Sequence, residues 1–199
     1  QGALISWALM MEGGIQVNTR GERFQDETQG YSEAAVHVLD QPGSVAWEVF
    51  DEALLPLTRS FPDFAPAEAA GALRRAADVG ELARLIGCDA ATLARTLDAV
   101  DPAVQDPLGR TFKRRLSAPF YAVKVTGALF HTQGGLDVDA HCRVRHSGGR
   151  LLPNLLAAGG AARGVSGNDV WGYLAGNGLL SAVAGGWIAG STATEQLKA

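Results

Sequence analysis

Between Leu151 and Gly190 the chain packs ten glycines into forty residues, yet the apolar runs between them are those of a buried strand and a buried helix rather than of a linker. Asn154 to Ala158 is a short apolar run ending in Gly159-Gly160, which suits a buried strand entering a tight turn. Gly176-Asn177-Gly178 then opens the run from Leu179 to Gly190. There Leu179, Leu180, Val183 and Ile188 alternate with Ala182, Ala184, Gly185 and Gly186, the make-up of a helix that other backbone approaches closely. A glycine-rich entry to a helix presents free N–H groups and the positive end of the helix dipole, a geometry that suits an anion or an electron-rich ligand. The same pattern equally describes a tightly packed strand, loop and helix with no ligand, and the local sequence leaves both readings open.

The rest of the composition narrows the class. A chain of 199 residues with 47% hydrophobic content can bury the core of one domain or of two small ones. Its 25 glycines exceed the usual share and concentrate in the last third, which points to a binding surface there. A net charge of −4, with no basic block longer than Lys113-Arg114-Arg115, argues against a nucleic-acid partner. No uninterrupted apolar run reaches the length of a membrane span, and no basic leader opens the chain, so a soluble, cytoplasmic protein without a membrane segment is expected. Cys88 and Cys142 have no C-x-x-C spacing and read as ordinary buried cysteines, with no metal site. Gln1 stands where an initiator methionine would, so the chain is expected to be a piece of something longer.

Along the chain, Gly13 to Asn18 alternates as a strand, turns at Thr19 to Glu22, and continues through Arg23 to Glu27, so a hairpin is expected. Ser32 suits an N-cap for a helix through Leu39, and Ser44 to Phe50 alternates as a strand. Helices are expected at Pro66 to Ala77, Val79 to Ile86 and Asp89 to Val100, with Asp78 and Asp89 as N-caps and Gly87 as a stop. The stripe of Leu82, Leu85, Ile86, Leu93 and Leu97 reads as core. Residues 101–108 form a loop, and Arg110 to Arg115 reads as a solvated basic segment. Strands follow at Phe120 to Val125, Phe130 to Gly135, Leu136 to Asp139 and Arg143 to Arg145, with Gly148-Gly149 as a turn. The fold class is α+β or α/β.

Four segments now stand in a fixed order: GGIQVN from Gly13, followed by GERF from Gly21 with Asp26-Glu27; HTQGGL from His131; PNLLAAG from Pro153; and the closing glycine-rich helix. This order resembles the C-terminal half of FAD-dependent oxidoreductases of the fumarate reductase and succinate dehydrogenase flavoprotein class, most closely its tricarballylate-dehydrogenase-like and 3-ketosteroid-dehydrogenase-like branches. The resemblance implies a fragment. Residues 1–116 would be a mixed α+β substrate cap, with a strand segment at 13–27 and helices within 66–100. Residues 117–199 would be the C-terminal part of a Rossmann-like FAD-binding domain. The strand, G-x-G-x-x-G turn and helix that hold the ADP half of FAD in such proteins are not among these residues, so the missing N-terminal dinucleotide-binding half is an expected partner. The chain alone is expected to bind FAD weakly or not at all and to be inactive.

The resemblance also implies roles. His131 would orient a small-molecule substrate, and Thr132, Gln133, Gly134 and Gly135 would lie beside the flavin. Gly159 and Gly160 would approach the ribityl and pyrophosphate region, Gly160 replacing a glutamate of the family. Gly176, Asn177, Gly178 and Leu179 would begin the helix that faces the flavin pyrimidine edge, where the dipole stabilises reduced flavin. Chemistry of this class moves a hydride between a substrate C–C bond and flavin N5 while a protein group handles the proton. Fumarate reductases use an arginine for that proton; Tyr31 stands in its place, as in the ketosteroid branch. Tyr173 is similar to a tyrosine that polarises the substrate carbonyl there. No carboxylate-binding arginine follows Gly164-Val165-Ser166-Gly167-Asn168-Asp169, which weakens a C4-dicarboxylate and leaves Arg163, Arg143 or Arg110 as candidates to serve a different acid. The alternative is a catalytically inactive, flavoprotein-derived module for binding or assembly.

Overall fold

The computed structural model describes residues 2–130 and 132–198. The chain divides into two compact units, residues 1–128 and 129–199.

The first unit is built on a four-stranded antiparallel sheet of β1 (Ile15–Val17), β2 (Ala46–Asp51), β3 (Arg74–Ala76) and β4 (Phe120–Val125), in the order β1-β2-β4-β3. Because β4 is paired with β2 along its whole length, Ala46 to Val125 and Asp51 to Phe120, residues 120–125 belong to this unit. The sequence had grouped them with the second.

Both faces of the sheet are covered. Ile15, Val49 and Ala122 stand in one row across three strands. They pack with Leu82, Ile86, Leu93 and Leu97 of helices α5 (Val79–Ile86) and α6 (Ala90–Asp98), the leucine stripe read from the sequence as core. Phe50, Tyr121 and Val123 face the other way, onto Leu9 and Met10 of α1 (Ala8–Met11) and onto Leu54 and Leu55. Leu55 opens α3 (Leu55–Arg59). The caps of α5 and α6 are as expected: Asp78 accepts from the Glu81 N–H and Asp89 from the Thr92 N–H, both at 2.8 Å, and Gly87 ends α5 with φ of 86°.

Several expectations fail here for identifiable reasons. Arg23 to Glu27 does not pair with β1 as a hairpin, because the Gln16 N–H donates to the Glu27 side chain at 2.9 Å instead of to a partner strand. Helix α2 (Tyr31–Leu39) begins one residue before Ser32, with Gly30 as its N-cap. The helix expected across 66–77 is cut short. The helix α4 (Phe64–Ala69) stops before Gly71, whose φ is 71°, and Arg74 to Ala76 then forms the edge strand β3, with Ala76 buried against Phe120. Arg110 is not solvated: it is 2% exposed and sits in a buried ion network.

The second unit is a two-stranded hairpin, β5 (Arg143–Arg145) and β6 (Leu151–Leu156), followed by α7 (Asn177–Lys198). The helix runs past the expected Gly190 because nothing after Gly190 breaks it. Strand β6 is half-buried to exposed rather than buried; among the described residues it has one partner strand, β5. Leu136 to Asp139 makes only isolated bridges, Leu136 to Ala162 and Val138 to Val144. Phe130 and residues 132–135 are not in a strand.

Helix α7 is held to the hairpin by small residues and two side-chain hydrogen bonds. A Cβ on Gly185 would meet the Ala158 Cβ at 3.0 Å, and one on Gly159, at φ of 56°, would lie 3.1 Å from the Ala182 Cβ. The Cys142 thiol donates to the Gly185 carbonyl at 3.4 Å, and the Thr192 hydroxyl to the His141 carbonyl at 2.9 Å. Cys142 is buried, as expected, whereas Cys88 is only half-buried. The turn before β5 is pinned by Arg143, which holds the Asp139 carboxyl down at about 2.

Candidate functional site

In the second unit the HTQGGL segment lies beside residues 161–164. The Leu136 N–H donates to the Ala161 carbonyl at 2.9 Å, the Arg163 N–H to the Leu136 carbonyl at 3.0 Å, and the Gly164 N–H to the Gln133 carbonyl at 2.9 Å. Two glycines permit this approach. A Cβ on Gly135 would collide with the Ala162 carbonyl and lie 2.8 Å from the Arg163 nitrogen; one on Gly164 would overlap the Gln133 side-chain amide.

The start of α7 closes the group. Asn177 is 2% exposed, and its side chain accepts from Gln133 Nε2 at 3.4 Å while donating to Ser166 Oγ. Ser166 Oγ also accepts from the Leu174 N–H at 3.3 Å. Three segments distant in sequence, 132–135, 163–167 and 173–179, therefore meet around Asn177.

Beside them is a cleft of about 400 Å3 lined by Gly160, Tyr173, Gly176, Gly178 and Leu179. Its volume falls within the range of small-molecule sites, about 300–1,000 Å3. Five of the residues named from sequence thus line one cleft, and Gln133 and Asn177 stand in the hydrogen-bond group that carries its helix. Gly178 and Leu179 lie in the first turn of α7, where N–H groups have no intrahelical partner and the helix dipole is positive. Gly134, Gly160 and Gly176 have open space where a Cβ would be, and Gly176 takes φ of 82°.

These features fit a flavin. A planar, electron-rich ring needs flat access, backbone donors and a positive field, and the cleft offers all three. Thr132 is exposed in the same segment, and Gly159 is taken up by packing on Ala182. His131 lies outside the described residues.

Tyr31 belongs to the first unit, where it is the first residue of α2 and 45% exposed. The turn before it is fixed on three sides. The Trp7 indole N–H donates to the Gln29 carbonyl at 3.0 Å. Asp26 Oδ1 accepts from the Thr28 N–H at 2.8 Å and from its hydroxyl at 2.6 Å. Glu27, fully buried, accepts from Arg23 at 2.6 Å and from Arg110 at 2.8 Å. Arg110 also donates to the carbonyls of Gly14 and Met10, and Phe112 lies against both guanidinium groups, at 4.7 and 4.5 Å. Asp106 completes the network through Arg23. Burial pushes its carboxyl up, but the Arg23 guanidinium and the N–H groups of Arg110 and Leu108 outweigh that and hold it below the usual range.

Sequence reading missed Ser166, and it offered Arg110 only as a solvated residue or a partner for a substrate acid, whereas Arg110 is buried against Glu27. Ser166 stood out only as the variable position of G-V-x-G, and Arg110 was masked by the basic run around it.

Comparison with known proteins gives a consistent picture. The family described as "FAD binding domain" matches residues 1–179. A probable fumarate reductase, Ifc3, of Shewanella frigidimarina (strain NCIMB 400) is 30% identical over 96% of this chain and 33% of its own length. The structure of the open conformation of a flavocytochrome c3 fumarate reductase superposes with a TM-score of 0.74 at 30% identity, covering 96% of this chain and 34% of that one. The fold is also similar to that of 3-ketosteroid delta1-dehydrogenase from Sterolibacterium denitrificans, with a TM-score of 0.70 at 22% identity, over 96% of this chain and 41% of that one. The chain spans about a third of the length of the fumarate reductases it matches. Among the described residues no helix is long and apolar enough to cross a membrane.

Proposed function

The chain belongs to the FAD binding domain family, and from that premise we propose that it carries part of the active site of an FAD-dependent oxidoreductase acting on a CH–CH group of a small molecule. The observation that carries the reading is the cleft at the start of α7, where Gly160, Tyr173, Gly176, Gly178 and Leu179 converge. Bound there, the flavin would supply hydride acceptance or donation.

The chain's own residues have distinct tasks. The first turn of α7 directs backbone N–H groups and the positive dipole end toward the ring, favouring negative charge on it. Thr132, Gln133, Gly134 and Gly135 form the neighbouring edge, Gly159 and Gly160 let backbone come close, and Asn177 orders the segments around them. His131 orients the substrate, Tyr173 polarises its carbonyl, and Tyr31 handles the proton.

Tyr31 needs help to act as a base. Lowering a phenol from about 10 to near 7 takes about 4 kcal/mol. A helix N-terminus supplies roughly 0.3–1 kcal/mol, and Glu33, in the same turn, opposes it. The role requires a positive group or hydrogen bonds that stabilise the phenolate.

The ADP end of FAD is held by the dinucleotide-binding half of a longer parent protein. Two facts support that division: these residues contain no G-x-G-x-x-G, and the chain matches only a third of its relatives. The first unit then serves as the substrate cap, and residues 129–199 as part of the FAD domain.

Titrating the 199-residue chain with FAD and with FMN, followed by flavin fluorescence, tests the reading. Weak binding that barely distinguishes the two is expected, because only the ring end is served. Tight, stoichiometric FAD binding would overturn the division. No binding of either flavin, together with an inactive parent, would leave a non-enzymatic assembly module as the better reading.

A further inference from the structure

Resting on the reading of the cleft as a flavin site, we infer that Ser166 is a positioning residue whose hydroxyl, with the Asn177 amide, latches residues 163–176 onto the start of α7 and so sets the shape of the cleft. Within this segment, the aliphatic side chains offer little packing: Val165 is 73% exposed and Leu174 65%. Polar contacts must therefore do most of the ordering, since exposed loops gain little from burial.

Beyond the backbone bonds of Arg163 and Gly164, two of those contacts converge on one atom. Ser166 Oγ accepts from the Leu174 N–H, eight residues on, and from Asn177 Nδ2, eleven residues on. A hydroxyl has two acceptor lone pairs, and both are engaged. The segment folds back closely enough that a Cβ on Gly172 would lie 3.0 Å from the Ser166 carbonyl. The carbonyl of the same Leu174 then accepts from the Asn177 N–H at 3.1 Å. One latch thus spans Leu174 to Asn177, with Tyr173 and Gly176, which line the cleft, at its two shoulders. Asn177 passes the connection to Gln133 at 3.4 Å; loss of the Ser166 hydroxyl removes the side-chain tie of residues 166–174 to the start of α7, while the Arg163 and Gly164 N–H groups still hold to Leu136 and Gln133.

Amide hydrogen exchange by NMR on the 199-residue chain tests this, with a Ser166→Thr and Ser166→Val pair of matched shape alongside Ser166→Ala. Loss of two hydrogen bonds predicts exchange roughly 5- to 100-fold faster at Leu174 and its neighbours in the Ala and Val variants. The amides of β5 and β6 should not change, and Thr should restore protection. Asn177→Ala should reproduce the effect, and the double variant with Ser166→Ala should add little to it. Unchanged exchange at Leu174, or equal acceleration throughout residues 129–199, would overturn the latch, the second because it marks a general loss of stability.

FAD added to the same samples separates the latch from the reading it rests on. Shifts at the Gly178 and Leu179 amides that need about tenfold more FAD in Ser166→Ala support both. The same shifts at equal FAD in both proteins would overturn the positioning role. No shifts in the wild-type chain at millimolar FAD, together with an inactive parent, would overturn the flavin reading of the cleft, while the exchange result would still decide the latch.

Discussion

Gln16 and Glu48 stand directly opposite each other on β1 and β2, and the Gln16 amide donates to the Glu48 carboxyl at 3.3 Å in a fully buried site. The second carboxyl oxygen has no hydrogen-bond partner among the described residues, and burial pushes the group up to about 8 against that one stabilising contact. The folded chain thus holds a proton on Glu48 at neutral pH that the unfolded chain, near 4.5, releases. Its contribution is intact below pH 4.5 and is lost as pH rises toward 8, because unfolding then releases the proton. Urea unfolding at pH 5, 7 and 9 should show Glu48→Gln removing this fall, with a gain on the order of 3–5 kcal/mol at pH 9. Parallel pH profiles for the two proteins would contradict it.

Arg110 answers one carboxylate and two carbonyls from a 2% exposed position. Removing it leaves the buried charge of Glu27 with Arg23 as its remaining cation beside the Gln16 N–H, and two carbonyls without their donor. Arg110→Met is expected to destabilise the first unit by about 3–5 kcal/mol. A double-mutant cycle with Glu27→Gln, read by chemical unfolding, should return a coupling of about 1–3 kcal/mol; additivity would show the pair to be independent.

The contact of α7 with the hairpin depends on the absence of a side chain at Gly185, where an added Cβ meets the Ala158 Cβ at 3.0 Å. Gly185→Val should cost about 1–3 kcal/mol through overpacking. Gly186→Ala, one residue along and with open space around it, should be neutral or slightly stabilising because of helix propensity. Thermal melts of the two variants supply the comparison.

In the flavin-loaded parent enzyme, Tyr31→Phe should lower kcat about 10²–10⁴-fold, the usual range for loss of a proton-transfer group. Flavin binding should be unaffected. Turnover within a factor of about two of wild type would remove Tyr31 from the proton step.

What the sequence showed follows from how local each signal is. Asp78, Asp89 and Gly87 marked helix ends correctly because a cap is decided within four residues. Gly160, Gly176, Gly178 and Leu179, named through the ordered family motifs, line one cleft with Tyr173. Arg110 was illegible because its burial depends on partners 83 to 100 residues away. Ser166 was passed over for the same reason, since a serine in a glycine-rich loop looks like any other until Asn177 is brought to it. Arg74 to Ala76 went to strand against helical surroundings because β4 offered a free edge, which outweighs a propensity of a few tenths of a kcal/mol.

The reach of Arg110 has a kinetic side. Its bond to the Met10 carbonyl closes a separation of 100 residues, and that to Gly14 one of 96. Contacts of such high order form only after the intervening chain has been gathered, so they belong to the downhill side of the folding barrier. Damage there should leave the refolding rate nearly unchanged and appear as faster unfolding, making this arginine the bolt that sets how long the first unit stays closed once it has formed.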